Sequence, residues 1–209
     1  MKIILIRHGQ STANELIIIQ GQKDYPLTEL GEQQAKKLAH KMLQDKFSCN
    51  GVYSSDLTRA KRTTEILAEI LGLEVAKYDE RLREMNFGHR QGKKVANLTP
   101  EEKQYEKRVF EEHDLKFPEG ESVNDMKNRV NESLEEIINS HDEKDTILIV
   151  GHGGTLYHIL FHILNIFPEG DEWFKTAKIH FTSNCSYNEI YRESSLDKWQ
   201  LKIFNSQKL

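Results

Sequence analysis

Thr146-Ile147-Leu148-Ile149-Val150-Gly151-His152-Gly153-Gly154 is the stretch on which the fold turns. A run of apolar and β-branched residues with no polar alternation is the pattern of a strand buried on both faces, as in a parallel sheet covered by helices. The glycines break the run, and Thr155 to Leu164 continues as an apolar helix. Lys2-Ile3-Ile4-Leu5-Ile6 is a second run of the same kind, ending in Arg7-His8-Gly9. Between the two, the spacing predicts a helix capped by Thr28, with Leu30, Ala35, Leu38, Ala39 and Met42 as its apolar stripe. A short strand follows at Gly51-Val52-Tyr53-Ser54. Next comes a helix capped by Ser55 or Asp56, with Leu57, Ala60, Thr64, Leu67, Ala68 and Leu71 on one face, and then a strand over Glu74 to Tyr78. Ser122 to Ser140 reads as a helix with Val123, Met126, Val130, Leu134, Ile137 and Ile138 inward. Ser186 to Arg192 and Trp199 to Phe204 read as a hairpin. Strand–helix alternation of this kind predicts an α/β fold, a three-layer α/β/α sandwich with a mostly parallel central sheet. A single domain over residues 1–209 is expected. The more polar residues 80–125, punctuated by Pro100 and Pro118, are expected to form a cap-like insertion over the active site.

Composition excludes several classes. The 29 basic and 33 acidic residues leave a net charge of −4, without the basic excess of a general nucleic-acid or membrane binder. Two cysteines, Cys49 and Cys185, make no disulfide framework and no Cys-x-x-Cys pair. Ile3 to Ile6 is too short for a signal peptide, and no run approaches the roughly 18 apolar residues of a membrane span. A reduced, cytoplasmic protein is expected, with neither nucleic acid nor membrane as partner.

The chemistry gathers at strand ends. In open α/β sheets ligands bind beyond the carboxyl ends of the strands, near a topological switch point. His8 and His152 both follow buried strands, each beside glycines (Gly9, Gly153) that let the backbone turn and approach a ligand. Ser54-Ser55-Asp56-Leu57-Thr58-Arg59-Ala60 supplies a third strand end and puts Arg59 in the first turn of a helix, where anions are favoured. Two histidines, two arginines and helix starts on one edge describe a phosphate site. Each feature alone has an ordinary structural explanation; their joint placement is what points to function. His158 and His162, spaced i, i+4, lack the glutamate of the zinc-protease pattern and are read as structural. Arg7 and Arg59 would repel a divalent cation, so no metal and no cofactor is expected.

These residues resemble the histidine phosphatase superfamily, also called phosphoglycerate mutase-like. The resemblance runs in family order through Leu5-Ile6-Arg7-His8-Gly9-Gln10-Ser11 with Asn14, then Gln20-Gly21 and Pro26-Leu27-Thr28-Glu29-Leu30-Gly31. It continues through Ser54 to Ala60, Leu82-Arg83-Glu84 with Phe87-Gly88, Gly120-Glu121-Ser122, and Val150 to Gly154. It implies that His8 is a nucleophile transiently phosphorylated on its ring, and that Arg7, Arg59 and His152 surround the transferred phosphoryl group. It implies that Glu84 is the general acid and base, with Gly9, Asn14, Gln20, Gly21 and Gly153 binding substrate. Physics agrees with these roles. Phosphoryl transfer depends on positioning and on stabilising charge over the equatorial oxygens, which fixed guanidiniums do well. Cations beside His8 keep it neutral and nucleophilic.

Within that family the mutase branch typically carries Glu-Arg-His-Tyr-Gly at the general-acid motif. Here the run is Glu84-Met85-Asn86-Phe87-Gly88, and Met85 cannot pair with a carboxylate. Phosphatase branches often read Phe-Gly-x-Trp-Glu-Gly, from which Arg90 and Gln91 depart. The expected activity is a metal-independent phosphatase of small phosphorylated metabolites. The alternatives are a 2,3-bisphosphoglycerate-dependent phosphoglycerate mutase and a non-catalytic phospholigand-binding member of the fold. Leu16-Ile17-Ile18-Ile19 is expected to pack as a loop or to meet a second copy of the chain, a homodimer being an admissible partner. Lys93, Lys94, Lys107 and Arg108, interleaved with Glu101, Glu102, Glu106 and Glu111, are expected to form a solvated helix face.

Overall fold

The computed structural model describes residues 1–74, 76–166 and 183–206. Its six strands are β1 (Lys2–Arg7), β2 (Gly51–Ser54), β3 (Lys77–Tyr78), β4 (Thr146–Gly151), β5 (Tyr187–Tyr191) and β6 (Gln200–Ser206). They form one sheet in the order β3-β2-β4-β1-β5-β6. The first four are mutually parallel, whereas β5 runs antiparallel to β1 and β6 antiparallel to β5. The sequence-predicted hairpin is thus present. The strand expected over Glu74 to Tyr78 shortens to two exposed residues.

Along β1, Ile3 and Leu5 face one side while Ile4 and Ile6 face the other, and all four are fully buried. On the first side they meet α5 (Val123–Asn139) and α6 (Gly153–Leu164) through Met126, Val130, Leu134, Leu156 and Ile159. On the second they meet α2 (Glu29–Gln44) and α3 (Thr58–Leu71) through Ala35, Leu38, Ala39, Met42, Ile66 and Leu67. Burying both faces explains why β1 and β4 read as continuous apolar runs. Each such aliphatic side chain contributes roughly 1.5–3 kcal/mol against exposure.

Thr28 caps α2 through its hydroxyl, as expected, but Leu30 is half exposed; Gly31 takes the inward position one residue on. For α3 the expected Ser55 or Asp56 cap is not made. Leu57 is the N-cap residue and has no side-chain bond, while Asp24 Oδ1 reaches across to accept from Thr58 N at 2.8 Å. Residues 80–122 hold three 3-10 turns and α4 (Pro100–Glu111), which opens with Thr99, Pro100 and a Thr99/Glu102 capping box. The interleaved charges pair there, Lys93 with Glu102 at 2.6 Å and Lys107 with Glu111 at 3.3 Å. The short helix α1 (Thr12–Glu15) follows β1. Beyond it Leu16 and Ile17 are exposed, so the expected packing of that loop does not hold for them.

Candidate active site

Strand order assembles the site. Arg7 of β1 sits opposite Gly151 of β4, so the next residues, His8 and His152, emerge side by side. His8 N donates to Gly151 O at 3.0 Å, and the two imidazoles lie 5.2 Å apart between ring centres. On the other flank of β4, β2 delivers Ser55, whose amide donates to Val150 O at 3.1 Å. Arg59 follows as the second residue of α3 and is fully buried.

The His8 ring is fixed by its neighbour. Its Nδ1 lies 2.7 Å from Gly9 O, which fixes the proton on Nδ1 and leaves the lone pair on Nε2. Burial, reinforced by the Arg59 and Arg7 guanidiniums, holds its pKa well below the ordinary histidine value, so the ring is neutral at physiological pH. His152 is depressed likewise, chiefly by burial and then by Arg59 and His8. Its Nε2 is 2.8 Å from Ser55 Oγ, and a hydroxyl donating there puts the imidazole proton on Nδ1. Among the described residues His152 Nδ1 and Arg59 Nε are buried with no protein partner; Arg59 Nε–H, and in that tautomer His152 Nδ1–H, can donate to an anion.

Arg59 is fixed at its far end. Nη1 donates to Lys23 O at 3.0 Å and Nη2 to Gly21 O at 2.8 Å. Burial pushes it down to about 10, which still leaves it cationic. Gly21, with φ of +54°, turns that loop in the left-handed region where a Cβ would also strike the Gln91 side chain. Arg7 is likewise lowered by burial, opposed by the nearby Glu84 and Cys185. Burial pushes the Cys185 thiol up to about 12, so it is not a thiolate at physiological pH.

Asn14 and Gln20 meet at Ser11. Asn14 Oδ1 accepts from Ser11 N and Ser11 Oγ, at 3.1 and 3.0 Å, and Gln20 Oε1 lies 2.7 Å from the same hydroxyl. Gly9 and Gly153 flank the two histidines. Gly9 N donates to Thr63 Oγ1 at 3.0 Å, and Gly153 opens α6.

Glu84 approaches from the side. Its Oε2 accepts from Gly154 N at 3.0 Å and its Oε1 from Met85 N at 3.1 Å. It lies close enough to raise both Arg7 and Arg59 electrostatically. Met85 is buried beside it. Arg90, at the motif departure noted above, is buried across the Phe117 ring at 5.2 Å and pairs with Glu106 at 3.0 Å; Gln91 Oε1 accepts from Gln22 N at 2.5 Å.

All the sequence-predicted residues therefore meet at one edge. Sequence reasoning missed Asn184, whose Nδ2 donates to His8 O at 2.9 Å and lies 3.4 Å from Asn14 Oδ1. It also missed Gln22, whose Nε2 donates to Glu84 O at 3.1 Å. Neither carries a periodicity or charge signal; each matters only because the folded chain brings it to the site. His158, read as structural, is buried on Asn131 at 2.8 Å. Among the described residues no group of three or more His, Cys, Asp or Glu is gathered as for a metal ion. Nor is any helix there long and apolar enough to cross a membrane.

Comparison with known proteins adds identity to geometry. The family model described as "Histidine phosphatase superfamily (branch 1)" matches residues 3–207. A "Probable phosphoglycerate mutase GpmB" of Serratia proteamaculans is 36% identical over 196 residues, covering 93% of this chain and 86% of that one. A mycobacterial glucosyl-3-phosphoglycerate phosphatase solved with VO3 superposes with a TM-score of 0.82 at 28% identity, covering 98% of each chain. YhfR of Bacillus stearothermophilus gives a TM-score of 0.84 at 26% identity, over 100% of this chain and 99% of that one.

Proposed function

The chain belongs to the histidine phosphatase superfamily, branch 1, and from that premise we propose that it is a metal-independent phosphatase of small phosphomonoesters acting through phospho-His8. The observation that carries this reading is the His8 ring itself. It is neutral, has its Nδ1 proton fixed on Gly9 O, and has the Arg7 and Arg59 guanidiniums close by.

In the first step the His8 Nε2 lone pair forms a bond to phosphorus as the ester P–O bond breaks. The departing oxygen takes that bond's electrons and a proton from the Glu84 carboxyl. Arg7, Arg59 and the His152 Nδ1–H hold the equatorial oxygens as charge spreads over them. In the second step a water oxygen attacks phosphorus and gives its proton to the Glu84 carboxylate. The P–N bond breaks, its electrons return to His8, and orthophosphate leaves. Assistance of this acid–base kind contributes about 10²–10⁴-fold.

A mutase reading has support from the relatives named as probable phosphoglycerate mutases. Against it stands Met85, apolar and buried next to Glu84 where mutases carry polar residues. A small phosphorylated metabolite as partner and a cytoplasmic setting go with the phosphatase reading. Phosphate release from a panel of phosphomonoesters in EDTA, wild type beside His8→Ala, tests it. Turnover by wild type alone is expected. Isomerisation of phosphoglycerate outrunning phosphate release, given a bisphosphoglycerate primer, would replace this reading with the mutase. Phospholigand binding without turnover would replace it with a binding role.

A further inference from the structure

The segment 81–86 that carries Glu84 has no regular secondary structure beyond one 3-10 turn, yet three of its backbone carbonyls are gathered by one guanidinium. Arg129, on α5, uses all five of its N–H donors. Nη1 donates to Arg81 O and Arg83 O, each at 2.7 Å, and Nη2 donates to Glu84 O at 3.0 Å. The remaining two donors, Nε and Nη2, grip Glu121 Oε1 and Oε2 at 2.7 and 2.9 Å. Glu121 Oε2 in turn accepts from Asn86 N at 2.9 Å, so the pair closes on both sides of the acid-bearing residue.

The other contacts of this segment point the same way. Thr155 Oγ1 also donates to Arg83 O, at 2.9 Å. The side chains of Arg81 and Arg83 turn away to Asp79 and Asp56. With the carbonyls of 81, 83 and 84 drawn inward, the Glu84 side chain is delivered to Gly154 N at the start of α6. Gln22, from the loop that clamps Arg59, donates to the same Glu84 carbonyl. Arg129 touches none of the reacting atoms.

We propose that Arg129, braced by Glu121, is the positioning residue that fixes the Glu84 carboxylate where the leaving oxygen must be protonated. This rests on the phosphatase reading with Glu84 as general acid. Lysine cannot substitute, because a point ammonium with three donors cannot span three carbonyls and a carboxylate. Displacing a catalytic group by about 1 Å can cost on the order of 10²-fold.

The leaving group separates positioning from mere structure. An alkyl ester such as glycerol phosphate needs its leaving oxygen protonated, whereas p-nitrophenyl phosphate releases a stable phenolate. kcat/KM reports the phosphorylation step alone, before Glu84 acts again on water. In Arg129→Lys and, independently, Glu121→Gln, kcat/KM for glycerol phosphate is expected to fall on the order of 10²-fold. The p-nitrophenyl ester and the inhibition constant of orthovanadate, which probes the Arg7–His8–Arg59 pocket, should stay near wild type. Glu84→Gln is the reference. If Glu84→Gln separates the two esters but Arg129→Lys and Glu121→Gln depress both equally, or neither, the positioning role is overturned. If Glu84→Gln does not separate them, the general-acid reading falls, and this inference with it. Should Arg129→Lys not fold, Glu121→Gln, which keeps shape and volume, decides alone.

Discussion

At the scale of single residues, the site depends on small groups whose importance lies in what they leave room for. Gly154 is the clearest. A Cβ there would lie 2.6 Å from Glu84 Oε1, the far end of a flexible side chain. The fold can therefore absorb Gly154→Ala by swinging the carboxylate aside. We expect thermal stability to stay close to wild type while kcat/KM for an alkyl phosphate falls about 10²-fold, the cost of a displaced catalytic group. A stability loss matching the activity loss would contradict this. Gly154 is legible in the sequence as part of Gly151-His152-Gly153-Gly154, but its reason is not, because the carboxylate it accommodates is remote in sequence. Ser55 is similar. It reads as a strand end and a helix cap, yet it is not the cap of α3: its hydroxyl lies 2.8 Å from His152 Nε2 and accepts from Leu57 N at 3.3 Å.

Among the elements, caps and stripes were the readable features, and they fail where a distant partner intervenes. The Thr28 cap is found as expected because it is a local bond between hydroxyl and helix amide. The α3 cap was not readable, since its acceptor, Asp24, arrives from the loop that also holds Arg59. Leu30 was misplaced because Gly31 lets α2 approach Gln10 closely, leaving the leucine outside. Ser122 begins the helix that carries Arg129. Its hydroxyl accepts from Asp125 N at 3.0 Å, and Asp125 accepts from Ser122 N at 2.9 Å. Ser122→Ala should therefore cost about 1 kcal/mol in urea unfolding. It should leave the leaving-group dependence of kcat/KM unchanged, because the later turn bearing Arg129 is held by Val130 and Leu134 in the core. A leaving-group effect in Ser122→Ala would show that the whole helix, rather than Arg129, sets the acid.

For the whole molecule, the decisive fact is strand order. The sequence shows two histidines after two buried strands; only the adjacency of β4 and β1 makes them one site. That same adjacency buries them, with a consequence for stability. His8 and His152 lie well below the ordinary histidine pKa through burial, and burial pushes His158 down to about 3. Half-buried His113 shifts in the same direction. His8, His152 and His158 are neutral in the folded protein but take up a proton near pH 6.5 once unfolded. The unfolded state therefore binds more protons below that pH, and the folded state loses stability as pH falls from about 6.5 towards each folded pKa. The slope is about 1.4 kcal/mol per pH unit for each such histidine. Depressed carboxylates such as Asp79 and Asp125 add their losses only at lower pH. Urea unfolding between pH 7.5 and 5 should thus show a steep decline beginning near 6.5, before carboxylates titrate. His158 lies outside the active site and its Nε2 faces Asn131 Oδ1, so His158→Gln can retain that bond through its amide. The variant should shallow the decline by about 1.4 kcal/mol per pH unit, with the proposed phosphatase activity near wild type. An unchanged slope would mean that burial of these rings does not govern the acid lability of the fold.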